Sequence, residues 1–184
     1  MIFIRADYVE SDVITHILSA LMPQNRLAVL VSMTTGLRIG DVLALRTECL
    51  KKERFTVKEE KTGKRRLIRL SSELRDELFK QAGRFFVFEH RLNPKEHKTR
   101  QAINKDLRRA CELFRVKGVN ITPHTARKIY SVKQYKRTGS IEQVRELLNH
   151  SSEAVTLIYA MADEITARNA KSHSVSVPDF GGRK

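Results

Sequence analysis

Four short segments combine cationic and imidazole side chains in patterns that solubility alone does not require. In Thr34-Thr35-Gly36-Leu37-Arg38-Ile39-Gly40-Asp41, an arginine follows a glycine turn and has a carboxylate three residues on. Such a partner can hold the arginine while its fork grips a phosphate through two parallel hydrogen bonds. Taken alone, the segment reads more simply as a surface ion pair. Lys61, in Glu60-Lys61-Thr62-Gly63-Lys64, falls on a predicted turn. A flexible ammonium there can enter a groove and donate a proton, although most turn lysines only keep a sheet edge soluble.

His124 and Arg127 lie at i and i+3 near the start of a predicted helix, with Thr122 as its cap and Pro123 at its first position. Acids normally populate helix N-termini, so two potential cations on one face there run against the helix dipole and suit a bound phosphate. The fourth segment is Leu147-Leu148-Asn149-His150-Ser151-Ser152, followed by Tyr159. His150 alone could cap a helix and Tyr159 could fill a core. A tyrosine hydroxyl ordinarily titrates near about 10, so a nucleophilic role would need cations or a base beside it. The segments above offer such groups, and the sequence offers no acidic cluster for Mg²⁺, which disfavours metal-dependent phosphoryl chemistry and implies no cofactor. Of the rival tyrosines, Tyr8 lies before all of these segments, and Tyr130 and Tyr135 follow Arg127 on its own helix, where core packing or contact with a bound partner suffices. His16, His90, His97 and His173 have no companion pattern.

The charge balance agrees with a polyanionic partner. The chain has 184 residues with 35 Lys and Arg against 21 Asp and Glu, a formal net charge of +14. At 41% hydrophobic and 30% charged residues it has the composition of a globular domain, not of a disordered chain. The cations are dispersed over 51–52, 61–69, 95–109 and 127–137, so several elements must converge on one ligand, which fits a nucleic-acid duplex lying in a groove better than a flat membrane. Lys64, Arg65, Arg66 and Lys128 are candidate DNA contacts, and Lys64 rivals Lys61 as a proton donor. The longest apolar stretch, 27–33, is far short of the roughly 20 residues a membrane helix needs. The N-terminus has no basic leader, and a cytoplasmic protein of bacterial or phage origin is expected, with Cys49 and Cys111 as reduced, buried thiols.

Apolar periodicity and punctuation predict the elements that must position these groups. A first amphipathic helix runs through Val13 to Leu21, with Ser11 as its cap. A core helix over 25–34 stops at Gly36, and another begins at 37 or 38 and runs to 45. A β-hairpin over 54–70 carries Lys61 and Lys64 at its tip. Helices follow over 72–82, 99–116, 122–138, 141–148 and 152–163, Ser140 to Gln143 fitting a capping box. The apolar run 85–88 reads as strand or buried loop. The expectation is a mainly α domain with a small β-hairpin (α+β) over 1–171 and a mobile tail over 172–184.

Thr-Gly-Leu-Arg38-Ile-Gly-Asp41, Lys61-Thr-Gly, His124-Thr-Ala-Arg127, Leu-Leu-Asn-His150-Ser-Ser and Tyr159, in this order, resemble the catalytic domain of the tyrosine recombinase (phage integrase) family over about 27–161. The resemblance implies that Tyr159 attacks a DNA phosphate to form a 3′-phosphotyrosine, with Arg38, Arg127 and His150 holding the non-bridging oxygens. It implies Lys61 as the acid for the leaving 5′-oxygen, His124 as an aid to proton transfer, and Asp41 as a supporting carboxylate. It further implies a homotetramer on two duplex sites, with a monomer possible when free. Asn149 stands where the family usually has glycine. Only some 26 residues precede the matched core, so an isolated catalytic domain or a short member such as a fimbrial inverter is expected. A type IB topoisomerase-like enzyme and a DNA-binding module that never cuts are the alternatives.

Overall fold

The computed structural model describes residues 8, 9 and 11–148. His150, Tyr159, the helix expected over 152–163 and the tail from 172 lie outside the described residues. The described elements are α1 (Ser11–Ser19), α2 (Pro23–Thr35), α3 (Ile39–Leu43), a 3₁₀ turn (Thr47–Lys51), β1 (Arg54–Lys58), β2 (Arg65–Arg69), α4 (Ser72–Gln81), α5 (Arg100–Leu113), α6 (Pro123–Thr138) and α7 (Ile141–Leu147). The expected class, mostly helical with one two-stranded antiparallel sheet, is what is found.

Helix α2 packs on α6 and α3, and α5 packs on α1, α6 and α3. One core joins Leu27, Ala28, Val29 and Val31 of α2 with Ile14, Ile17, Leu43, Leu78, Phe88, Ile103, Leu107, Ala126 and Ile129. Pro23 starts α2, two residues before the expected 25, and Gly36 ends it in the left-handed region at φ 69°, as the sequence predicts. Helix α6 begins with reciprocal caps: Thr122 Oγ1 accepts from the His124 N–H, and Thr125 Oγ1 accepts from the Thr122 N–H, both at 3.2 Å. Ser140 caps α7 by accepting from the Gln143 N–H at 3.2 Å. A smaller apolar cluster of Tyr130, Val144 and Leu148 holds α7 against α6.

The hairpin pairs Arg54 with Arg69 through Lys58 with Arg65, and turns inward Phe55, Val57 and Ile68. The Glu59 N–H donates to Lys64 O at 2.9 Å and the Gly63 N–H to Glu59 O at 2.8 Å, which closes the turn around Lys61.

Several local expectations shift. Helix α1 begins at Ser11 itself. Helix α5 ends at Leu113, before Gly118, because Arg115 already takes a positive φ of 52°. In the 85–88 run Phe86, Val87 and Phe88 are buried while Phe85 is exposed, and Phe86 bridges to Arg46, with the Val87 N–H donating to Leu45 O at 2.9 Å. Helix α3 is only five residues long and leaves Arg38 extended at its N-cap position. Cys49 and Cys111 are free thiols but half-buried, and burial raises both above their ordinary pKa.

Gly36 bears on the site directly. A Cβ there would lie 2.4 Å from Tyr130 Cδ1, and the backbone already requires a positive φ. Gly36→Ala is therefore expected to destabilise the domain by about 1–3 kcal/mol, read as a lowered urea midpoint with an unchanged slope. An unshifted midpoint would mean that Tyr130 does not pack on this turn.

Candidate active site

The α2–α3 turn, the hairpin and α6 bring three arginines together around one carboxylate. Glu59 extends the inward alternation of Phe55 and Val57, and its side chain is fully buried. Its Oε2 accepts from Arg38 Nη1 at 2.5 Å and from Thr62 Oγ1 at 3.2 Å, and its Oε1 accepts from Arg66 Nη1 at 3.3 Å. Arg66 Nη2 also donates to Thr35 O at 2.8 Å, tying the hairpin to the end of α2.

Arg127, on the buried face of α6, completes the cluster. Its Nη1 donates to Gly36 O at 2.7 Å, across 91 residues of sequence, and its Nη2 donates to Leu148 O at 3.0 Å. The first contact is possible because α2 packs on α6 and ends in a left-handed glycine that turns its carbonyl toward the guanidinium. Burial and the neighbouring Arg38 lower the Arg127 guanidinium to about 10, with Glu59 opposing them, so it stays charged at neutral pH.

Asp41 behaves differently. Its Oδ1 accepts from the Glu60 N–H at 2.9 Å, while its Oδ2 is buried without a hydrogen bond among the described residues. Burial raises its carboxyl above the ordinary value, and Glu59 adds to the rise against the Glu60 N–H, Arg38 and Arg127. The carboxylate hydrogen-bonded to Arg38 is thus Glu59, while Asp41 steadies the hairpin backbone and meets Arg38 only through its field.

Lys61, Lys64 and Arg65 are exposed on the hairpin, His124 is exposed at the start of α6, and Lys128 is half-buried one position after Arg127. Arg66 is 10% exposed and engaged inward, unlike its neighbour Arg65. The structure therefore brings Arg38, Asp41, Arg66 and Arg127 into one electrostatic cluster, and the backbone carbonyl of Leu148, two positions before His150, is anchored to it. Glu59 was missed from sequence. Its signal is the period-two register, because a carboxylate in an inward position next to two apolar ones must be paired.

Around Glu59, burial favours the neutral acid, but Arg127, Arg38 and Arg66 outweigh it and hold the carboxyl below its ordinary value of 4.5. A depressed folded pKa gives stability that is full above the ordinary value and is lost as pH falls through the folded one. Asp41 works in the opposite sense, since its raised pKa makes protonation favour the folded state. Glu59→Gln is therefore expected to flatten the loss of thermal stability between about pH 5 and pH 3. An identical acid limb in wild type and variant would show that Glu59 gains nothing from the arginines.

The sequence matches the model of the phage integrase family over residues 7–165. It is 30% identical over 147 residues to the probable integrase/recombinase YoeC of Bacillus subtilis, covering 75% of this chain and 77% of that protein. It is also 30% identical over 156 residues to the tyrosine recombinase XerA of Pyrococcus furiosus, covering 80% of this chain and 52% of that one. The fold is similar to that of lambda integrase in a dimer bound to a COC′ core site, with a TM-score of 0.70 and 18% identity over 85% of this chain and 49% of the other. Lambda integrase in a tetramer bound to a Holliday junction gives 0.67, with 18% identity over 85% of this chain and 49% of that one. The chain belongs to the phage integrase family, and its architecture is that of a tyrosine recombinase catalytic domain. It spans about half the length of XerA and of the lambda integrase chain.

Proposed function

We propose that this domain is a site-specific DNA recombinase that cuts and rejoins strands through a 3′-phosphotyrosine, without a metal. The observation that carries this reading is the convergence of Arg38 and Arg127 on one site beside the hairpin that bears Lys61. In this mechanism Tyr159 Oη attacks the scissile phosphorus, the bond from phosphorus to the 5′-oxygen breaks, and Lys61 gives that oxygen its proton. Arg38, Arg127 and His150 stabilise the charge on the non-bridging oxygens, each such donor being worth about 10²–10³ in rate. His124 assists removal of the phenolic proton, and Asp41 supports the cluster. The phosphotyrosine keeps the bond energy, so attack by a second 5′-hydroxyl rejoins the strand without ATP.

Lys64, Arg65, Arg66 and Lys128 supply the basic surroundings of the duplex, Arg66 chiefly by bracing the hairpin. The active assembly is a homotetramer on two DNA sites, a reading supported by the likeness to the lambda integrase tetramer. The described residues contain no helix long and apolar enough to cross a membrane. The protein acts in the cytoplasm, where its DNA is. The catalytic unit covers 1–171, followed by a tail over 172–184. The test is to incubate the protein with a randomised pool of nicked suicide duplexes and isolate DNA that stays attached in denaturant. Recovery of a common sequence bound through its 3′ end supports the reading, and a pool that yields no adduct contradicts it.

A further inference from the structure

Glu59 belongs to none of the motifs that carry the family likeness, yet its carboxylate sits at the centre of the cluster. A fully buried carboxylate is unfavourable unless paired, and this position, one past the end of β1, continues the inward side of two apolar residues that face the same core. One oxygen accepts from Arg38 and the Thr62 hydroxyl, and the other accepts from Arg66. Arg66 and Thr62 fix the carboxylate, and the carboxylate in turn fixes Nη1 of Arg38. Among the described residues, Nε and Nη2 of Arg38 make no hydrogen bond, and its side chain keeps 17% exposure. These two nitrogens form the guanidinium edge that can bind two oxygens of one phosphate side-on.

Resting on the recombinase reading above, the geometry points to Glu59 as a positioning residue for strand cleavage, which holds Arg38 by Nη1 so that its Nε–Nη2 edge faces the scissile phosphate. Without it Arg38 is charged but unaimed, and at the reacting centre a displacement of about 1 Å can cost about 10²-fold in rate. Binding of DNA follows a different rule. Removing an anion beside three cations leaves the attraction to phosphates intact or stronger.

The test compares wild type, Glu59→Gln and Glu59→Asp on a suicide duplex recovered from the pool and on a short duplex of unrelated sequence. Glu59→Gln is expected to lower single-turnover adduct formation at saturating DNA about 10²-fold. Its affinity for the unrelated duplex is unchanged or higher, and Glu59→Asp restores part of the rate. The rate defect persists when sulfur replaces the bridging 5′-oxygen, because that leaving group needs no proton and the damage is to the clamp. Wild-type cleavage by Glu59→Gln overturns the proposal, as does a parallel loss of cleavage and affinity, or a defect erased by the sulfur substrate. A readout independent of cleavage separates this inference from the recombinase reading. In ¹⁵N spectra of the free protein, the Nη protons of Arg38, identified by their absence in Arg38→Lys, are resolved in wild type and averaged by rotation in Glu59→Gln. Equal averaging in both proteins overturns the proposal even if cleavage is never observed.

Discussion

Tyr159→Phe is expected to eliminate the covalent protein–DNA adduct, a loss of at least about 10⁴-fold, while leaving affinity for the same duplex within about twofold. The substitution removes one oxygen. Every cation that attracts the backbone remains, so the electrostatic part of binding is untouched, and no other group can form the same ester without being carried to the same phosphorus. Denaturing electrophoresis for the adduct and a binding titration at fixed salt measure the two quantities. An adduct that survives in Tyr159→Phe transfers the nucleophile to another residue, and the rivals are Tyr8, Tyr130 and Tyr135. Of these, Tyr130 is buried against Gly36, and burial raises its hydroxyl above the ordinary pKa, the reverse of what a nucleophile needs.

Arg127→Ala produces the second large effect, on rate and stability together. Its two Nη groups join the end of α2 to the end of α7 by donating to Gly36 O and Leu148 O. Removing it strands the Leu148 carbonyl, at about 1–3 kcal/mol if water does not replace the donor, leaves Gly36 O with only the longer 3.4 Å bond from Arg66 Nη1, and deprives Glu59 of a compensating charge. On the proposed mechanism it also removes a donor to the transition state, for a further loss of about 10²–10³ in cleavage rate at saturating DNA. Arg127→Lys keeps a charge but replaces a planar fork by a single ammonium, and it recovers less of the rate than of the DNA affinity. Urea unfolding and single-turnover cleavage separate the two contributions. A stable Arg127→Ala protein with wild-type cleavage would exclude Arg127 from both roles.

How far these residues could be read from sequence depends on whether their partners are local. Gly36 as a helix stop, Thr122 with Pro123 at the start of α6, and the hairpin around Thr62-Gly63 were legible because each is fixed by neighbours within a turn. The partner of Arg38 was not. Local spacing offers Asp41, but α3 begins only after Arg38, which is left extended, so the i,i+3 geometry that would join them does not form. Glu59, 21 residues on, takes the place because the hairpin folds back over the α2–α3 turn. Arg66 was legible as a cation and not as a brace, since alternation along β2 distinguishes its inward side from Arg65 only once the register is known. The path of 85–88 likewise depends on its bridge to Arg46, a contact that no local pattern encodes.

Digesting the purified adduct with nuclease and protease, and identifying the modified amino acid by mass spectrometry, reads the covalent link itself. A nucleotide joined by its 3′-phosphate to the phenolic oxygen of Tyr159 is expected. A remnant on any other residue, or linked through a 5′-phosphate, would contradict the proposed mechanism.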